Sequence, residues 1–135
     1  MLDCLTSSFE RGWTGYQGTT REHAILARSL GVTQLVVAFN KLEKLDWSQD
    51  RFDAVQAIIQ PYLLSIGFKK QDITYIPISG LTGENLCERS KDPNLISWYG
   101  AESPCLLEIL DQLRLPPRNY AKPLRASISE YCPKT

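Results

Sequence analysis

A chain of 135 residues with 43% hydrophobic and 22% charged side chains has the size and composition of one soluble domain that buries a core. Its 15 basic and 15 acidic residues cancel, so net charge supplies no pull toward nucleic acid or a membrane surface. Cys4, Cys87, Cys105 and Cys132 include no Cys-x-x-Cys pair, which argues against a zinc site and a disulfide framework and implies free thiols in a reducing compartment. The start, MLDCLTSSFERG, lacks the basic and apolar segments of a signal peptide. No apolar run approaches the roughly 18 residues of a membrane span, so a soluble intracellular protein is expected.

In chain order, Thr19-Thr20-Arg21-Glu22 has the form of a capping box with Thr19 as N-cap. His23, Leu26, Ala27 and Leu30 follow at helical spacing, predicting an apolar face, and Gly31 is placed to end the helix. His23 on that face reads as a core or interface residue rather than an acid–base catalyst. Leu35-Val36-Val37-Ala38-Phe39 is a continuous β-prone run, as in a parallel strand covered on both faces. Ser48 caps the next predicted helix, whose stripe is Phe52, Val55, Ile58, Ile59, Leu63 and Ile66. Pro61 should kink or divide that helix, and Gly67 should stop it. Ile73–Ile78 predicts a second strand, and Ser103-Pro104 opens a last helix with Leu106, Leu107 and Leu110 on one face. Trp47, Trp98 and Tyr99 lack interleaved basic residues, so packing rather than base stacking is expected of them.

Strands alternating with helices predict an α/β domain with a mostly parallel sheet. Two polar loops, NKLE after the first long strand and SGLTGENL after the second, then fall at the carboxyl edge of that sheet, where ligands bind. Beyond them LPPRNYAKPLR reads as a linker, and the basic residues Arg114, Arg118, Lys122 and Arg125 in and beside it read as solvated. RASISEY alternates like one exposed strand, which has no stability alone.

The stretches SSFERGW, TTREHAILARSLGVTQLVVAFNKLE, WSQDRFDAV, GFKKQDITYIPISGLTGENL, WYG and LLEILDQLRLPPRNYAKPLR run in the order of a known family. The chain resembles the second half of the GTP-binding domain of translational GTPases in the elongation factor one-alpha group. Within that group it looks most like the HBS-like ribosome-rescue GTPases that partner Pelota, with elongation factor one-alpha and release-factor GTPases as the neighbouring alternatives. The resemblance implies a partial P-loop GTPase domain over residues 1–115, a linker over 116–123 and the start of a β-barrel domain over 124–135. It implies that Leu2-Asp3 ends a strand, and that the chain is a fragment or truncated form. It also implies GTP or GDP as ligand, a ribosome and a Pelota-like factor as partners, and a cytoplasmic location without membrane or direct DNA binding.

Residue by residue, Asn40, Lys41 and Glu43 fall on the family's Asn-Lys-x-Asp guanine motif. Ser79, Gly80 and Leu81 fall on its second base-binding loop, usually Ser-Ala followed by a variable residue. A carboxylate at the motif's end accepts from both the ring N–H and the exocyclic amine of guanine. The lysine stem lies along the purine face, the asparagine amide ties the two loops together, and a backbone N–H near Ser79–Gly80 donates to the guanine oxygen. Glu43 departs from the family's aspartate by one methylene, moving the carboxylate by about a C–C bond length. No Gly-x-x-x-x-Gly-Lys-Ser/Thr phosphate loop occurs in these residues, and the switch segments and Mg²⁺ ligands of the full-length family are absent as well. Base recognition without catalysis is the expectation. A remnant that binds a protein partner, with NKLE a solvated strand-end loop, is the reading from another class.

Overall fold

The computed structural model describes residues 1–13 and 19–115. Three parallel strands, β1 (Leu2–Asp3), β2 (Leu35–Asn40) and β3 (Ile73–Ile78), lie in that order in one sheet. The helices are α1 (Thr6–Trp13), α2 (Thr19–Ser29), α3 (Gln49–Ser65), α4 (Pro93–Tyr99) and α5 (Leu106–Asp111). Single 3₁₀ turns over Leu42–Leu45 and Lys70–Asp72 complete the framework. Both long strands stand where their β-prone runs place them, β2 gaining Asn40 because it pairs with Ile78 on one side and Asp3 on the other.

Alternation along β2 distributes its side chains between two covered faces. Val37 and Phe39 join α1, α3 and α4 in one core, with Phe39 against Phe52 edge to face at 4.7 Å between ring centroids. Ala38 joins Ile76, Ile78 and Ile109 of α5 in a second core on the opposite face. Trp47 is buried, and Trp98 and Tyr99 pack against the first core, as expected of them.

Helix ends follow the local chemistry. After α2, the N–H of Val32 donates to Ala27 and that of Gly31 to Arg28, with Gly31 at φ 90°. After α3, Phe68 donates to Leu63 and Gly67 to Leu64, with Gly67 at φ 99°. Both are Schellman closures, in which glycine reaches the left-handed conformation without a Cβ clash. Ser48 caps α3 by accepting from the Arg51 N–H at 3.3 Å.

Several expectations are corrected. Thr19 is already helical rather than the cap of α2. No residue of α2 is buried: Leu26 is 56% exposed, His23 is exposed, Leu30 just past the helix is 77% exposed, and Ala24 makes the helix's packing against the core. Spacing establishes a face but not what lies opposite it. On this side β1 pairs only with Phe39 and Asn40, so Leu35–Ala38 have no neighbouring strand there among the described residues. His23 lines the resulting groove with Leu2, Ala27 and Val36 rather than entering the core. Ile58 is 46% exposed because Ile59, one residue on, takes the sheet-facing position. Pro61 does not divide α3; it sits on the exposed side, as does Ala57, whose carbonyl it leaves without a helical donor.

α5 begins at Leu106, with Cys105 rather than Ser103 as its cap and the Glu108 carboxylate accepting from the Cys105 N–H at 2.9 Å. Leu106 and Leu107 donate to the carbonyls of Asn85 and Leu86, which draws residues 103–105 out of the helix. Helices α1 and α4, of 8 and 7 residues, are too short for a periodicity reading to find. Cys4, Cys87 and Cys105 are free thiols. The Arg114 backbone is held at both ends by the Gln34 amide, while the expected linker and β-barrel strand lie outside the described residues.

Candidate functional site

Because the three strands are parallel, their carboxyl ends share one edge. Asn40–Glu43 leaves β2 there, Ser79–Leu81 leaves β3, and Asp3 ends β1. Asn40 is buried, and its Oδ1 accepts from the Gly80 N–H at 2.8 Å, joining two loops forty residues apart in the chain. Its carbonyl accepts from the Cys4 N–H at 3.0 Å. Lys41 turns the chain with a left-handed backbone, φ 69°, and pairs its ammonium with the Asp3 carboxylate. Leu42 is fully buried and anchors the loop in the core.

Glu43 differs from these. Both of its carboxylate oxygens are buried and neither has a hydrogen-bond partner. A buried carboxylate without donors carries a desolvation cost that a partner would offset. Together with Asp3 it acts electrostatically on the Cys4 thiol, whose pKa is pushed up to about 12, chiefly by burial and against the pull of Arg51.

Ser79 is buried, its N–H donating to the Glu84 carbonyl at 3.1 Å and its Oγ accepting from the Thr82 N–H at 3.2 Å. The N–H groups of Ser79 and Gly80 are therefore both engaged within the protein. The next N–H belongs to Leu81, whose side chain stands 80% exposed. A Cβ at Gly80 would meet Asn40 Oδ1 at 3.4 Å, an ordinary contact, so the alanine of the family pattern fits here.

Three residues without an assigned role in the sequence reading brace this edge. The Asn85 side chain donates to the Pro77 carbonyl at 2.8 Å from a left-handed backbone. Asp92 caps α4 through Oδ1 and accepts from the Trp47 indole through Oδ2, while the Trp98 indole donates to the Trp47 carbonyl at 2.7 Å. The Glu84 carboxylate accepts from the Ser90 hydroxyl and the Lys91 N–H, both at 2.7 Å, and from the Asp92 N–H at 3.3 Å. An acid flanked by glycine and asparagine in SGLTGENL was the available signal for this hub.

The Ser90 hydroxyl first, and then the two backbone donors, hold the Glu84 carboxyl below its usual range against the opposing effect of burial. A lowered folded pKa favours the charged form in the fold. The contribution is complete above the ordinary value of 4.5 and fades as pH falls through the lower folded value. Protection of the Lys91 and Asp92 amides, measured as exchange relative to the intrinsic rate at each pH, should thus fall on acidification, and Glu84→Gln should flatten that dependence. An unchanged acid response in the variant would rule the hub out.

Of the expected site residues, Asn40 and Gly80 are brought into direct contact, and Lys41, Glu43, Ser79 and Leu81 line the same edge. Among the described residues no group of three or more acids, histidines or cysteines is placed to hold a metal ion. Residues 10–117 match the family model described as the elongation factor Tu GTP binding domain. The chain belongs to that family. Protein HBS1 of Drosophila melanogaster is 43% identical over 130 residues, covering 96% of this chain and 19% of that protein. Elongation factor 1-alpha of Staphylothermus marinus is 44% identical over 132 residues, 96% of this chain and 29% of that protein. The structure of Sup35 complexed with GMPPNP superposes with a TM-score of 0.74 at 34% identity, over 84% of this chain and 28% of that one. The S. cerevisiae Ski7 GTPase-like domain, bound to GTP, shares the fold with a TM-score of 0.62 at 23% identity. This member of the translational GTPase family spans a fifth to under a third of the length of these relatives.

Proposed function

We propose that the chain recognises the guanine base of GTP or GDP through Asn40, Lys41 and Glu43 and through the Ser79–Leu81 loop. It would be the base-binding part of a ribosome-rescue GTPase that works in the cytoplasm with a Pelota-like factor. The observation that carries the reading is the Asn40–Gly80 hydrogen bond, which sets the two base loops side by side at the sheet's carboxyl edge; the Glu43 carboxylate, buried and unpartnered in that loop, must turn outward to meet a base. A carboxylate only accepts, and its two oxygens take two parallel donors. Guanine offers a ring N–H beside an amine; adenine presents an acceptor at the equivalent ring position. The Leu81 N–H is the donor we assign to the guanine oxygen, since those of Ser79 and Gly80 are engaged. Sup35 complexed with GMPPNP and with GDP supports the ligand class, and WSQDRF with SGLTGENL favours the rescue branch.

The residues present fit the base but not the phosphates or a metal, so no hydrolytic step is assigned to them. Titration of the chain with GDP and ADP, followed by amide chemical shifts at 40–43 and 79–82, is the test. GDP should bind roughly 10-fold or more tightly than ADP, the factor expected of one buried polar contact left unmade. Glu43→Asp, which restores the shorter arm, should tighten GDP and widen the preference. Equal affinities for the two nucleotides would refute the reading.

A further inference from the structure

We infer that Asp3, which lies in neither base loop, is a positioning residue for guanine recognition, acting through Lys41. The inference rests on the base-binding reading above. Asp3 closes β1 opposite Asn40, the residue that begins the loop. One of its oxygens accepts from the Leu5 N–H at 3.0 Å, which turns the chain away from the strand, and the other holds the Lys41 ammonium. The adjacent Cys4 N–H bonds the Asn40 carbonyl, and the Asn40 amide oxygen bonds Gly80. A lateral row, Asp3 to Lys41 and Cys4 to Asn40 to Gly80, therefore crosses the ends of all three strands.

Lys41 needs such a tether. Its left-handed backbone, φ 69° and ψ 21°, aims the side chain away from the direction of β2, and the side chain is 39% exposed. A lysine stem is flexible and loses freedom when it must lie flat on a ligand. With the ammonium held at Asp3, the stem is ordered before any base arrives, and it offers methylenes rather than a free charge to the purine face. Pre-ordering one long side chain corresponds to a gain of roughly 3- to 10-fold in affinity.

The test compares the full wild-type chain, Asp3→Asn, Lys41→Met and the double variant, each titrated with guanosine and with GDP. Asp3→Asn keeps an oxygen for the Leu5 N–H while dropping the charge. The expected result is weakening of roughly 3- to 10-fold that is equal for guanosine and GDP, because the stem touches the base and not the phosphates. Lys41→Met should weaken both ligands too, and the double variant should be no worse than Lys41→Met alone, the non-additivity of one acting through the other. If Asp3 acted merely as a nearby negative charge, its removal would tighten GDP and leave guanosine unchanged. That outcome, strict additivity, or wild-type affinity in Asp3→Asn would overturn the inference while the base-binding reading stands. Absence of guanosine and GDP binding by the wild-type chain overturns that reading and the inference with it.

Discussion

Phe39→Ala should cost about 3–5 kcal/mol, a large share of the about 5–15 kcal/mol that a small domain has in total. Phe39 is fully buried in the central strand, with Leu2 opposite on β1 and Pro77 opposite on β3. Its ring meets Phe52 at 4.7 Å and Tyr75 at 5.9 Å, so truncation opens a cavity bounded by two strands and a helix that cannot readily close. The next residue is Asn40, and the loop junction to Gly80 should fail together with the core. Urea unfolding followed by tryptophan fluorescence measures the loss. Ile58→Ala, on the exposed side of the neighbouring helix, is the control and should stay within about 1 kcal/mol of wild type. A loss for Phe39→Ala no larger than the control's would show that the central strand does not bear the stability.

At tens of micromolar the chain should self-associate, and it should unfold below about 55 °C, the middle of the mesophile range. Leu35–Ala38 present one backbone edge without a strand among the described residues, and α2 with the turn that follows it exposes Ile25, Leu26 and Leu30 at 48%, 56% and 77%. An unpaired apolar edge invites another chain. At roughly 25 cal/mol per Å², a few hundred Å² of wet apolar surface is comparable with the whole stability margin. Leu26→Glu combined with Leu30→Glu should restore a monomer by placing charge on that face, with light scattering and thermal unfolding as the readouts. A wild-type monomer with one cooperative transition above about 55 °C would sink the idea.

Local chemistry was enough to read β2 and β3 from their β-prone runs, the glycine closures at Gly31 and Gly67, the Ser48 cap and the two loops at the sheet's carboxyl edge. These features depend on neighbours within about one turn or one pleat, so the residues that cause them adjoin the residues that show them. The family was legible for a related reason: its base motif and flanking stretches are contiguous in the chain. Whether a helical face is covered depends on a strand from elsewhere, which is why α2 forms as predicted while Leu26 and Leu30 stay wet. The Lys41–Asp3 pair, the Asn40–Gly80 junction and the unpartnered Glu43 carboxylate join or isolate groups from separate strands. Only the packing of three parallel strands side by side brings those ends within hydrogen-bond distance, and sequence spacing carries no record of it.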